Sequence, residues 1–384
     1  MNKLSALVSL IVLLAIGAAF FLKKPRTPLP SSDGKPPTVT LQDGTLIVSG
    51  SNVRLKDINA RIKDPEIFRY LPDRNVYFCN ANLDIHGTLQ IGELDGAEKS
   101  EVLEIQTFAC GDRSIQVREG GTLRVYNSEI ATVLRTFDEK LCSKGYSIFG
   151  EGTLNFDHAD IKFMSGSIAR PARRTASGSI VNSRFVDSDG NSFFAEDVDG
   201  KALEIRNTEF VSRGNYGFVV SGPGRSPLQL VKCKLHGAAA DLHHAGSDAE
   251  VVLLDCDFRK DAISFNQLNG AVTVKWTVDI KVLDAAGQPV PITAVTARSE
   301  DDCGLDEVVT ARTDIDGRAS IVLTEFVASP FRPKRYDRIN NMTPHRLRII
   351  SPAGELLGER RNVEVSTSST SLTIQLKPQN RGRR

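Results

Sequence analysis

Ala202-Leu-Glu-Ile-Arg-Asn-Thr-Glu-Phe210, Pro227-Leu-Gln-Leu-Val-Lys-Cys-Lys-Leu235 and Glu250-Val-Val-Leu-Leu-Asp-Cys-Asp-Phe258 repeat one phrase. Its frame is apolar, any, apolar, any, polar, small, any, large apolar. Leu203, Leu228 and Val251 share the first position, Ile205, Leu230 and Leu253 the second, and Phe210, Leu235 and Phe258 the last. The register advances by 25 residues and then by 23. A period in the twenties marks a solenoid, in which each repeat buries its apolar face only against its neighbours.

Apolar residues at spacing two are strands, not helices. The frame then breaks at Asn207 and its equivalents and resumes three residues later. This predicts a strand, a sharp bend and a second strand, with Asn at the bend because it tolerates left-handed backbone. One period holds three short strands and three turns, so coils stack at about 4.8 Å. A leucine-rich repeat has a similar period but a denser leucine pattern. The frame recurs at Leu123, Val125, Asn127 and Ile130, at Leu154, Phe156, His158 and Ile161, and at Ile180, Asn182 and Phe185. It is also read at Val76, Phe78, Asn80 and Leu83. The bend position is thus expected to run Asn80, Asn127, His158, Asn182, Asn207, Lys232, Asp255. Over roughly residues 44–276 this frame and its side-chain ladder resemble the right-handed parallel β-helix of the pectin-lyase-like superfamily. That resemblance implies a fold and leaves the activity open.

The 384 residues, with a net charge of +1, exceed one ordinary domain, and nothing in the charge argues for nucleic acid. Leu4 to Leu22 is apolar or small apart from its serines. Nineteen residues span about 28 Å as a helix, close to a hydrocarbon core. An uncleaved signal-anchor and a cleaved signal peptide ending near Gly17-Ala18-Ala19 both fit residues 1–24. Either places the bulk of the chain in the periplasm or outside the cell. Residues 25–38 are a proline-rich spacer. Asp64 to Leu71 is expected to make one or two helical turns that cover the first coil. From Thr277 the pattern changes to alternating strands with turns at Ala286-Gly-Gln-Pro-Val290 and Thr313-Asp-Ile-Asp-Gly317. These turns resemble the carboxypeptidase-regulatory-like, immunoglobulin-like β-sandwich, expected over 277–378, before a basic tail at 379–384. Residues 311–323 read as a hairpin-like unit. Asp314 and Asp316 beside Gly317 read as a turn rather than a calcium site.

The expected fold class is therefore all-β: a right-handed parallel β-helix over 39–276, a small β-sandwich, and one N-terminal transmembrane or signal helix. The six cysteines lack CxxC spacing, so structural zinc is not implied. Cys233 and Cys256 share a frame position one coil apart, close enough for a disulfide or for two buried thiols in a ladder. Cys110 and Cys142 are a looser pair.

Three groups carry candidate chemistry. Phe156-Asp-His-Ala-Asp160 resembles the Asp-His pair of pectate lyases, and Pro171 with Arg174 matches half of their Arg-any-Pro-any-any-Arg segment. Ala169 stands where that segment begins with Arg. The resemblance implies a base at Arg173 or Arg174, and calcium at Asp157, Asp160 and Asp187 to neutralise a substrate carboxylate. The alternative is a bend-filling His158 beside a solvated arginine loop. Asp241-Leu-His-His244 offers acid–base groups at Asp241, His243 and His244, or ordinary core and surface histidines. The functional expectation is a membrane-anchored, exported binding or scaffold module for polysaccharide or a cell-envelope partner, without a cofactor. The alternative is a polysaccharide lyase or hydrolase acting on an acidic glycan with calcium.

Overall fold

The computed structural model describes residues 36–94, 101–107, 113–134, 146–163, 176–187, 190–222, 226–245, 248–266, 270–300, 307–330, 339–366 and 370–378. The chain is all-β, 61% strand and 5% helix, with long parallel sheets and a small antiparallel one. Successive turns of chain contribute strands to the same parallel stacks, an arrangement compatible with a solenoid.

One stack runs Thr88–Gly92, Thr122–Tyr126, Thr153–Asp157, Ser177–Val181, Leu203–Arg206, Leu228–Val231, Glu250–Leu254. Its register pairs Ile91 with Val125, Val125 with Phe156, Phe156 with Ile180 and Ile180 with Ile205. A second stack holds Glu129–Leu134, Asp160–Phe163, Arg184–Asp187, Glu209–Ser212 and Lys234–Gly237. There Ile130, Ile161, Phe185, Phe210 and Leu235 pair in turn, all fully buried. The third side is built from Tyr146–Gly150 and its predecessors, then from Phe193–Glu196, Tyr216–Ser221, Ala240–His244 and Ile263–Phe265. Spacing two puts alternate residues inside, and parallel stacking puts like on like. The Phe185 and Phe210 rings stack at 5.4 Å, those of Phe193 and Phe218 at 5.1 Å.

The bend between the first two stacks is left-handed in every coil from Asn127 onward. Asn127, His158, Asn182, Asn207, Lys232 and Asp255 have φ of +47° to +54°. The next residue is small, and in the coils other than that of His158, where it is Ala159, its side chain ties the corner down. Ser128, Ser183 and Thr208 each donate a hydroxyl to the carbonyl two residues earlier, at 2.7–2.9 Å. Cys233 and Cys256 do the same with their thiols, and both are free cysteines, buried.

Upstream the structure corrects the sequence reading. Val76–Cys79 pairs with Val102–Thr107 and belongs to the second stack, so Asn80 is not a bend residue. The true first-stack strand is Thr88–Gly92, whose bend begins at Gly92 with φ +73°. The covering helix is Leu55–Arg61, with Leu55 and Ile58 fully buried. Asp64–Leu71 instead makes a turn, with Asp64 Oδ1 accepting the Glu66 N–H, followed by the strand Phe68–Leu71.

The 13-residue strand Ala271–Leu283 crosses the boundary expected after residue 276. Its first five residues pair parallel with Glu250–Leu254. Along its other edge it pairs antiparallel with Arg318–Ala328 from Val272 on, and from Val278 it pairs parallel with Thr370–Gln375. A second, antiparallel sheet is ordered Val308–Arg312, Ala294–Ser299, His345–Ile350, Leu356–Val363. Val308–Arg312 and Arg318–Ala328 lie in different sheets, so the residues around Asp316 join two sheets and do not close a hairpin. Two turns use the same device. Asp284 Oδ1 accepts the N–H groups of Ala286 and Gln288, and Asp314 Oδ1 those of Asp316 and Arg318, all at 2.8–2.9 Å. Trp276 Nε1 donates to Glu325 Oε2 at 2.7 Å, and Lys260 pairs with the other Glu325 oxygen. This node fixes the last coil to the strand Arg318–Ala328.

Candidate functional site

The bend creates a groove. It has a volume of ≈ 690 Å³ and runs along the corner from Asn127 to Lys234. Two rows line it. One is the left-handed row of Asn127, His158, Asn182, Asn207 and Lys232. The other is the outward row that opens the second stack, in which Asp160, Arg184, Glu209 and Lys234 pair in register.

Both rows are wired internally. Asn182 Nδ2 donates to Asp157 Oδ1 at 2.9 Å, and Asn207 Nδ2 to Asn182 Oδ1 at 3.2 Å. His158 Nδ1 meets the same Asp157 oxygen at 2.8 Å. Arg184 Nε pairs with Glu209 Oε2 at 2.7 Å, and Lys162 Nζ with Glu129 at 2.8 Å and Asp160 at 3.3 Å. Burial alone lowers the Lys162 ammonium, but Glu129 and Asp160 hold it above its ordinary value. Among the described residues Lys232 and Lys234, at the other end, have no carboxylate within ion-pair distance, and both are exposed. The left-handed row of the groove is mostly carboxamide, with His158 near one end and Lys232 at the other, and beside it runs a row of mixed charge in which Asp160 is paired with Lys162 and Arg184 with Glu209. Each carboxamide presents a donor and an acceptor.

The sequence-predicted residues fall in different places. Asp157, His158 and Asp160 border the groove. Asp187 does not join them: it is fully buried at the far end of Arg184–Asp187, where its Oδ1 accepts the Gly190 N–H at 2.8 Å. No group of three metal-binding side chains forms among the described residues. Arg173 and Arg174, with Ala169 and Pro171, lie outside the described residues, as do Cys110, Cys142 and Cys303. So does the expected span Leu4–Leu22. Among the described residues no helix is long and apolar enough to cross a membrane.

Asp241, His243 and His244 lie on Ala240–His244, away from the groove, and all three are buried. Asp241 is fully enclosed. It accepts the N–H of Gly237 at 2.9 Å and of Arg259 at 2.6 Å, and pairs with the Arg259 guanidinium at 2.8 Å. His243 Nδ1 bonds Ser264 Oγ at 2.8 Å, and its ring stacks on Tyr216 at 4.0 Å. His244 Nε2 bonds the Ala249 carbonyl at 2.8 Å. Burial lowers both imidazoles, His243 further through the neighbouring His244, while the Ala249 carbonyl partly restores His244. These contacts are structural.

Sequence reading missed Arg184, Glu209 and Lys234. Outward residues carry no apolar period, so only the register of stacked coils lines them up. No family model, no curated protein and no solved structure matches the chain.

Proposed function

We propose that this chain is a membrane-anchored, exported binding or scaffold module whose corner groove takes a polysaccharide or a cell-envelope partner. In this reading the parallel stacks form a right-handed parallel β-helix of the pectin-lyase-like kind. The C-terminal sheets are its immunoglobulin-like, carboxypeptidase-regulatory-like companion, and Leu4–Leu22 tethers the chain with its bulk in the periplasm or outside. The observation that carries the reading is the groove's lining. Asn182 and Asn207 repeat one coil apart, about 4.8 Å. They expose carboxamides that suit the hydroxyl groups of a repeating polymer. The neighbouring charges are spent mainly on one another, as in Arg184–Glu209, which favours holding a ligand over transforming it.

One contact favours a second reading. Asp157 and His158 touch at 2.8 Å beside the groove, an acid–base pair that a lyase or hydrolase of acidic glycans would need. A glycan array with wild type and Asn182→Ala/Asn207→Ala separates glycan binding from its absence. The same glycans, incubated with calcium and followed in the ultraviolet for unsaturated products, test for lyase chemistry. Binding that depends on the asparagines, without product, supports the module. Product release that Asp157→Asn abolishes supports the enzyme. No glycan bound and no product would reject the polysaccharide ligand and the enzyme, and leave a cell-envelope partner as the reading.

A further inference from the structure

Arg124 stands in the outward row of the first stack, because Leu123 and Val125 on either side of it are fully buried inside. In register the row runs Arg54, Gln90, Arg124, Asn155, Ser179, one residue per coil at about 4.8 Å. An outward position on a solenoid sheet ordinarily meets water, and farther along the same row Glu204 and Gln229 are exposed. Arg124 is only 8% exposed. Tyr126, two residues on and facing the same way, is buried as well. This place is separate from the corner groove, whose lining includes neither Arg124 nor Asn155.

The guanidinium is held at one point. Nη1 donates to Asn52 Oδ1 at 3.2 Å, a bond that fixes the plane of the group. Nε is fully enclosed and has no acceptor among the described residues. Nη2, on the same edge as Nε, bonds none of them either, and no described carboxylate lies within ion-pair distance. Asp157 stands two residues past Asn155, the register partner of Arg124, and its Oδ1 is taken by Asn182 and His158. Arginine does not shed its proton, so the charge persists. A neutral acceptor would satisfy the N–H groups and leave that charge unbalanced, and a buried charge without a counter-charge is strongly unfavourable.

The unbonded edge has a definite chemistry. Nε–H and Nη2–H are parallel donors, the fork that two oxygens of one oxyanion accept together. Asn155 lies one coil on in the same row, and its carboxamide bonds nothing among the described residues, so it adds an N–H donor. Gln90, one coil back, spends its Nε2 on Gly92 O at 3.0 Å. We propose that Arg124 and Asn155 seat a small oxyanion of the phosphate or sulfate type, with Asn52 as the positioning residue for the guanidinium. The enclosure selects a free ion over a group carried on a polymer, and it strengthens the attraction by excluding water. An ion so placed links Asn52, Arg124 and Asn155, which belong to different coils.

The test uses the full chain and inorganic phosphate. Equilibrium dialysis with radiolabelled phosphate at constant ionic strength should find one ion per chain. Thermal unfolding should move upward in phosphate or sulfate and stay in place in chloride. Arg124→Gln should cut bound phosphate by about tenfold or more. Arg124→Lys, which keeps the charge and lacks the fork, and Asn155→Ala should each weaken binding to a lesser degree. Melting without phosphate separates loss of the seat from loss of the fold: there Arg124→Gln should unfold no lower than wild type, because the enclosed charge is gone. Phosphate binding that survives Arg124→Gln would overturn the inference. If that variant fails to fold, unchanged binding in both Arg124→Lys and Asn155→Ala would overturn it. So would binding lost instead with Lys232→Ala/Lys234→Ala, which would place the ion in the groove, or a chloride response equal to that of phosphate.

Discussion

Cys233 and Cys256 stand one coil apart, and each donates its thiol to the carbonyl two residues before it, at 3.5 Å. Ser183 and Thr208 make the same contact with hydroxyls. The cysteines therefore act as small weak donors in a corner ladder, and both are buried. Contact with Cys256 holds the Cys233 thiol low, while the Cys256 thiol is pushed well above its ordinary value, first by Cys233 and then by burial. Alkylation under denaturing, non-reducing conditions should recover both as free thiols in a peptide map. Cys256→Ser should keep the corner bond and cost no more than about 1 kcal/mol. A Cys233–Cys256 cross-linked peptide would show that the ladder is bridged.

Phe210 is fully buried, with the rings of Phe185, Phe193 and Phe218 at 5.1–5.4 Å. Phe210→Ala opens a cavity across several coils and should cost about 3–5 kcal/mol. A denaturant midpoint equal to wild type would contradict the inward placement of this frame position.

Asn207 combines φ +49° with a ladder bond to Asn182. Asn207→Ala should lose about 1–2 kcal/mol, because alanine resists left-handed backbone. Asn207→Gly removes the same carboxamide but accepts the backbone, so it should be clearly more stable than Asn207→Ala. Equal melting temperatures for the two would place the cost in the side-chain bond rather than in the bend.

Three buried histidines give the acid response a direction. Burial lowers His243, His244 and His345 below the ordinary 6.5, although nearby carboxylates and carbonyls oppose this at His345. A base with a depressed folded value binds fewer protons folded than unfolded. Its stabilising contribution is complete above about pH 6.5 and is lost as pH falls through that value. Melting temperature should therefore drop between pH 7 and pH 5, and His244→Gln should flatten the slope even where it lowers the plateau. Glu307 is also depressed, because Lys275 and Thr324 outweigh its burial, but it acts only at more acidic pH. A flat profile from pH 7 to 5 would contradict the buried, neutral imidazoles.

The coils from Leu123 to Phe258 were legible because stacking repeats one apolar spacing, and burial enforces that spacing in every coil. Val76 to Leu83 misled because its alternation is equally strandlike while its bend is not. The corner there falls at Gly92, which leaves no Asn signal. The covering helix was misplaced by Asp64-Pro65, a good helix start, while Leu55–Arg61 carries only two inward residues, Leu55 and Ile58. The groove was half legible. Its Asn row is a backbone requirement and shows in sequence, whereas Arg184, Glu209 and Lys234 meet only through register. Asp187 and Asp241 look like site carboxylates in sequence, yet both spend their oxygens on nearby backbone N–H groups.

The strand Ala271–Leu283 leaves no hinge between the last coil and the sheets that follow. Hydrogen bonds flank it on both sides of the crossing, and the Trp276–Glu325–Lys260 node sits at the crossing itself. A pull or twist applied at the C-terminal end would load many backbone bonds in shear at once, with no pivot to take up the motion. At this crossing a displacement of the sheets is therefore passed on to the last coil.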